Sequence, residues 1–321
     1  DNAFANTDSF TSVTFPNSLT SIGKRAFSGS YNLSTINFGT GTLSIGENAF
    51  ERLRYLTSVT IPANVVSIGD GNFYDCGSLT SITVSGGTSF KVVSNVLFSY
   101  DGTRLIAYPL ALTSTSYVVP AGVKYIGAYA FAGNTKLTSI SFTTTVLESI
   151  RDFAFSNCSN IVGALNLPSS LLSIGTSAFS GCSKLTSISL GANVSSIGSR
   201  AFSGCNLVTS ISVNASNTHY KTVGGVLFNY DQTTLILYPR GNTATTYTIP
   251  GSVTSIEAYA FTSCTYLTSI TINSNILTIG EYAFANCTNL TITVNLKLSK
   301  KPSGWSSSWN TNVLATIWLP E

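Results

Sequence analysis

Apolar residues recur along this chain in short alternating runs, without long helical stripes. Leu56-Thr57-Ser58-Val59-Thr60-Ile61 puts Leu, Val and Ile at the first, fourth and sixth places, and the spacing returns from Leu79 to Val84, Leu137 to Phe142, Leu185 to Leu190 and Leu267 to Ile272. The fourth and sixth places share one face of an extended chain while Ser and Thr take the other, so the pattern predicts a short strand entered by a bend. Pro62 follows one such run. With no N–H to offer a neighbour, it ends the pairing there. A second segment, typified by Val194-Ser195-Ser196-Ile197-Gly198, supplies two more inward positions.

Between the strand runs stands a fixed anchor. Ala-Phe recurs with its ring at Phe4, Phe27, Phe50, Phe131, Phe155, Phe179, Phe202, Phe261 and Phe284, and Asn72-Phe73 fills the gap in phase. The spacing is 23 or 24 residues except for two longer intervals of 58 and 59. One such unit cannot bury its own apolar face and must stack on its neighbours. Stacking brings equivalent strands about 4.8 Å apart in a parallel sheet. The anchors then pile into an interior column, each ring contributing about 1.5–3 kcal/mol on burial.

The two long intervals match each other at an offset of 130. Val96-Leu97-Phe98-Ser99-Tyr100-Asp101 aligns with Val226-Leu227-Phe228-Asn229-Tyr230-Asp231, and 22 of 43 pairs are identical from Ser89/His219 to Phe131/Phe261. A block of about 130 residues therefore occurs twice, each with one expanded unit, near 85–120 and 215–250. Asp101-Gly102 is a hairpin signal that Asp231-Gln232 carries more weakly. The segment 297–321 departs from the pattern; Trp305 and Trp309 read as residues of a terminal cap. Asp1 opens in mid-unit, as a segment of a longer chain would.

Composition narrows the function. Charged residues make up 9% of the 321, Met is absent, and 90 Ser and Thr take over the solubilising role. A hydrophobic fraction of 43% excludes disorder as the main state. A net charge of +3 without a basic cluster argues against nucleic-acid binding through counterion release. No apolar run reaches the length of a membrane-spanning helix, so this segment is read as not inserting into a membrane.

The units Ala-Phe-x-x-Cys-x-x-Leu-Thr-Ser-Ile-x-[Ile/Leu]-Pro-x-x-Val-x-Ser-Ile-Gly, the expanded units and the Pro-Ser-Gly-Trp ending resemble the BspA-type, or Treponema-type, leucine-rich repeat over essentially the whole chain. The resemblance implies a β-rich, curved leucine-rich-repeat solenoid, a right-handed superhelix with a parallel sheet, spanning 1–321 as one domain. It also implies a cell-surface or secreted location and a role in adhesion, and it transfers no catalytic or ligand residues. Arg151 and Glu257 stand where the unit has Gly after Ile, so that place does not require positive φ throughout. The strand from Ile161 to Leu167 carries an extra residue and Leu290 to Val294 lacks one, which predicts register irregularities at both.

Candidate chemistry is sparse. Cys76, Cys158, Cys182, Cys205, Cys264 and Cys287 each lie three residues after an anchor, in places that Ser30, Leu53 and Asn134 fill elsewhere. That column suits small buried residues better than disulfides, since in-register side chains point the same way, and it lacks zinc-ligand spacing. His219, the single histidine, has Ser89 in its place in the other block and no nucleophile motif beside it. Gly86-Gly87 and Gly224-Gly225 lack the helix that a phosphate cradle needs. No catalytic, cofactor or metal residue is assigned, and the chain is read as non-enzymatic.

The outward strand positions offer a nearly uncharged hydroxyl surface: Ser58, Thr60, Ser81, Thr83, Ser139, Ser141, Ser187, Ser189, Ser210 and Ser212. Ser and Thr suit any solvent-facing β position, yet a regular polar face also suits binding of an extracellular protein or glycan. Tyr100-Asp101 and Tyr230-Asp231, on irregular loops of a rigid scaffold, are further candidates. The leading expectation is an adhesin-like ectodomain, monomeric within a longer chain. The rival is a surface-layer or spacer module that only holds other domains away from the cell.

Overall fold

The computed structural model describes residues 1–142 and 146–321. Its strands are short and numerous, and the one helical element among the described residues is the single 3-10 turn Leu298–Lys300. The chain divides into two compact units, Asp1–Ile161 with Ser173–Ser180, and Val162–Leu172 with Gly181–Glu321.

Each ordinary coil has the same three parts. The strand Ser58–Ile61 turns Val59 and Ile61 inward and exposes Ser58 and Thr60. A tight turn follows in which the Val65 N–H donates to the Pro62 carbonyl at 3.1 Å, and the same bond joins Val123 to Pro120 and Val253 to Pro250. The two-residue strand Ser67–Ile68 then buries Ile68. An arc carrying the anchor closes the coil. In the first unit the opening strands pair in parallel, Ser58 with Ser81 and Thr60 with Thr83, and the second column pairs Ile22 with Ile45 and Ile45 with Ile68. In the second unit Ile188 pairs with Ile211, and Ile270 with Ile292.

The anchors stack. In the first unit Phe131 lies 4.8 Å from Phe155, which lies 5.1 Å from Phe179, the three rings stacked nearly parallel. In the second unit Phe261 lies 4.7 Å from Phe284, and Trp309 meets Phe284 edge-on at 5.8 Å. The Trp309 carbonyl accepts the Phe284 N–H at 2.8 Å, the backbone place that the alanine before each anchor fills elsewhere, as Ala283 does for Phe261. Trp305 is buried against it, 5.2 Å away, and donates its indole N–H to the Ile276 carbonyl.

The anchor arc bends at two left-handed residues, two places before and two places after the ring. Arg25, Tyr129, Phe153, Ser177, Tyr259 and Tyr282 take the first place at φ between 53° and 63°, and Asn157, Ser263 and Asn286 take the second at φ 59°. The glycine of Ser-Ile-Gly serves another purpose. A Cβ on Gly280 would lie 2.3 Å from the Ala258 backbone nitrogen, so the coils approach too closely there for a side chain. Gly280→Ala is expected to destabilise the second unit by about 1–3 kcal/mol, because it forces backbone apart; a denaturant titration that left the midpoint unchanged would contradict this.

The expanded units are three-stranded antiparallel meanders inserted into a coil. In the first, Phe90–Val93 pairs with Val96–Ser99, which pairs with Arg104–Ala107; this last strand then runs parallel to Tyr125–Ile126. The second repeats this with Tyr220–Val223, Val226–Asn229 and Thr234–Leu237, the last parallel to Ser255–Ile256. The hairpin after Tyr100 forms in both blocks: Gly102 sits at φ 78° and Gln232 accepts the left-handed conformation at φ 59°.

Each expanded unit also supplies an anchor. Tyr108 stacks on Phe131 at 4.9 Å and Tyr238 on Phe261 at 5.1 Å, and their N–H groups bond the Ala130 and Ala260 carbonyls as ordinary anchors do. Of the two expected irregularities, one is present: the register shifts between Gly163 and Ala164, with Gly163 at φ 81°. The other appears on one side of its strand only: Thr291 to Val294 pairs in unbroken register with Ser269 to Ile272, because the missing residue falls at the bend between Leu290 and Thr291, whereas against Ala315–Leu319 the register shifts between Val294 and Lys297.

Candidate binding faces

The outward hydroxyls gather into separate patches. In the first unit Ser58, Thr60 and Thr83 are exposed and Ser81 half-buried, and the Thr60 and Thr83 hydroxyls bond each other at 2.9 Å. Ser139 and Ser141 form a second ladder there with Ser116 and Val118; Val118, 60% exposed, breaks the run of hydroxyls. In the second unit Ser187 pairs with Ser210 and Ser189 with Ser212, the first strand half-buried and the second exposed.

The structure joins one loop candidate to this face. Thr83, Val84, Phe90, Lys91, Asn95 and Tyr100 border an open hollow of about 450 Å³ in the first unit. Tyr100 is 53% exposed at its edge. Asp101 is committed to its own turn: its carboxylate accepts the Ser99 hydroxyl at 2.5 Å and the Thr103 N–H at 3.0 Å. Those bonds, the Ser99 hydroxyl foremost, hold its carboxyl below the usual range. In the second unit Tyr230 lies beneath the Lys221 ammonium at 5.9 Å, and Asp231 is exposed. The Gly224-Gly225 pair is the tip of a two-residue hairpin at φ 58° and 80°.

The cysteines have a structural task. Cys76 donates to the Phe50 carbonyl and Cys158 to the Phe131 carbonyl, both at 3.2 Å, as the Ser30 hydroxyl donates to Phe4 at 2.7 Å. At Ser30, Cys76, Cys158 and Cys287 the residue three places after an anchor thus ties its coil to the preceding anchor. All six thiols are buried and unbridged, and burial pushes Cys76, Cys158 and Cys205 up to about 12. His219 is exposed, its ring 3.3 Å from the Thr218 hydroxyl.

One charged group was not foreseen. In the first unit Asp70 bonds both Arg104 and Arg151, the latter at 3.1 Å. Beside them the Tyr125 hydroxyl donates to Glu148 at 2.9 Å, and Lys124 pairs with Glu148 at 3.3 Å. The tyrosine bond, then the lysine, holds the Glu148 carboxyl low. Arg151, standing where Gly is usual, was the signal. Among the described residues no cluster of His, Cys, Asp or Glu could hold a metal ion, and no helix is long and apolar enough to cross a membrane.

In-register short strands, a buried anchor column and a hydroxyl strand face define a leucine-rich-repeat β-solenoid. The chain belongs to the BspA type leucine-rich repeat region family, which it matches in six copies over residues 1–114, 106–233 and 240–314. Among solved structures it is similar to the pneumococcal vaccine antigen PcpA, at 24% identity and a TM-score of 0.62, over 96% of this chain and 68% of that one. It is also similar to a leucine-rich repeat protein from Eubacterium ventriosum, at 22% identity and a TM-score of 0.56, over 98% and 79%. No curated protein matches it.

Proposed function

We propose that this chain is a non-enzymatic, adhesin-like ectodomain, displayed on or secreted from a cell, that binds a matrix protein, another surface protein or a glycan through its strand face. The observation that carries this reading is the junction of Thr83 with Tyr100 around the 450 Å³ hollow. It sets an exposed aromatic anchor beside polar groups held in register, a combination suited to protein and glycan contacts. Family membership and the likeness to a vaccine antigen support a surface location.

The test is a solid-phase screen of the chain against matrix proteins, mucins and glycans. Saturable binding in the micromolar range is expected, weakened about tenfold or more by Tyr100→Ala or Thr83→Lys, as for loss of an interface anchor. Absence of saturable binding across the screen would favour the spacer role instead.

A further inference from the structure

The duplicated blocks differ at one place where their folds coincide. Before each expanded unit the anchor arc runs Gly71-Asn72-Phe73-Tyr74 in the first block and Arg200-Ala201-Phe202-Ser203 in the second. The backbones match: the Tyr74 N–H bonds the Gly71 carbonyl, and the Ser203 N–H bonds the Arg200 carbonyl. In the first block the Tyr74 ring packs 4.9 Å from Tyr129, and only about 10 Å³ remains between the arc and the expanded unit. In the second block Ser203 has no ring to place there, and the Arg200 guanidinium covers the Tyr259 ring instead. A cavity of about 240 Å³ opens there, and Ile236 and Leu237 are half-buried where Ile106 and Ala107 are buried.

This cavity is built for a particular chemistry. Ile197, Leu227, Ile236 and Leu237 give it an apolar lining, and Phe202, Tyr220 and Tyr259 border it with rings. An enclosed apolar cavity of about 150 Å³ holds a benzene ring, so this larger, partly open cleft, whose lining also includes Ser199 and Ser203, has room for a ring with a substituent. Arg200 also lines it. Its guanidinium lies 3.9 Å from the Tyr259 ring centre and is in none of the ion pairs among the described residues. A guanidinium fixed by stacking presents its planar fork to a carboxylate. Glu257, on the same lining, opposes negative charge, so Arg200 must outweigh it for a single carboxylate and a second negative charge is disfavoured further.

We propose that the second block carries a binding pocket for a small aromatic monocarboxylate, with the ring in the apolar cavity and the carboxylate on Arg200. The pocket does not depend on the strand-face reading, and failure of one leaves the other standing.

The experiment is ligand-observed NMR titration of the full chain with phenylacetate, indole-3-acetate and phenylacetamide. The acids are expected to bind saturably and the amide about tenfold more weakly, as loss of a charge-assisted bond implies. Arg200→Gly, the residue of the first block, should erase the preference for acid over amide. Ser203→Tyr, which transplants the first block's plug, should abolish binding while the circular dichroism spectrum and melting temperature are kept. Equal binding of acid and amide, unchanged binding by a folded Ser203→Tyr variant, or no binding of either acid at ten millimolar would each overturn the proposal. So would binding of a capped Phe-Asp dipeptide in place of the free acids, since it would make the pocket a protein contact.

Discussion

Phe155→Ala is expected to lower the stability of the first unit by about 3–5 kcal/mol, the cost of removing a buried aromatic side chain and leaving its cavity. Phe155 is fully buried between Phe131 and Phe179, at 4.8 and 5.1 Å, so the loss opens the column on both faces of the ring. Neighbouring coils cannot collapse into the gap, because the Phe131 and Phe155 N–H groups are fixed to the Ala154 and Ala178 carbonyls. Phe4, 49% exposed, serves as the control: Phe4→Ala should cost far less. Guanidinium titration of both variants would measure the difference. Equal losses would mean that the column is not the source of stability.

Alkaline pH should unfold the protein by a defined route. Cys76 and Cys158 in the first unit, and Cys205 in the second, are pushed up to about 12 by burial, whereas an unfolded thiol ionises near about 8.5. Between those values the unfolded chain releases protons that the folded chain retains. Stability is therefore complete below about pH 8.5 and falls as pH rises, by up to about 1.4 kcal/mol per pH unit for each thiol. Denaturant midpoints measured from pH 7 to 11 should decline accordingly. Cys76→Ser keeps a donor for the Phe50 carbonyl while removing the thiol, and it should flatten the decline in the first unit. A decline of undiminished slope in that variant would show that other groups, the buried tyrosines among them, dominate.

The repeat was readable because every coil solves the same packing problem with the same residues: the inward Ile and Val of each strand, the small buried residue after each anchor, and the anchor itself. The anchors of the expanded units escaped a search for Ala-Phe because Tyr108 and Tyr238 follow Ala107 and Leu237, and a Pro comes next. Their distance of 23 residues from Phe131 and Phe261 was nevertheless in the sequence. The first hairpin of each expanded unit was missed for a different reason. Ser94 and Asn95 adopt φ 49° and 64° without any glycine, and Gly224-Gly225 carries a turn signal in only one of the two blocks.

Less of the candidate site could be read. The outward Ser and Thr positions follow from strand alternation, but their meeting with Tyr100 depends on how the meander folds back over the preceding strand. The role of Asp101 was hidden because its partners, Ser99 and Thr103, are ordinary residues of a Ser- and Thr-rich chain. The cavity beside Arg200 could have been noticed only by aligning the two anchor arcs, where Tyr74 meets Ser203. That alignment falls outside the offset of 130, one residue out of phase.

The strand face has a further consequence for how it would hold anything. Ser58–Ile61, Ser81–Val84, Leu185–Leu190 and Ser210–Val213 contain no ionisable side chain, and their outward groups are hydroxyls. Mobile ions screen attraction between exposed charges and leave neutral hydrogen bonds and apolar contacts largely untouched. A partner seated on either unit's strands should therefore lose little affinity as salt rises from dilute to physiological strength, except where it also reaches Lys91 at the edge of the hollow.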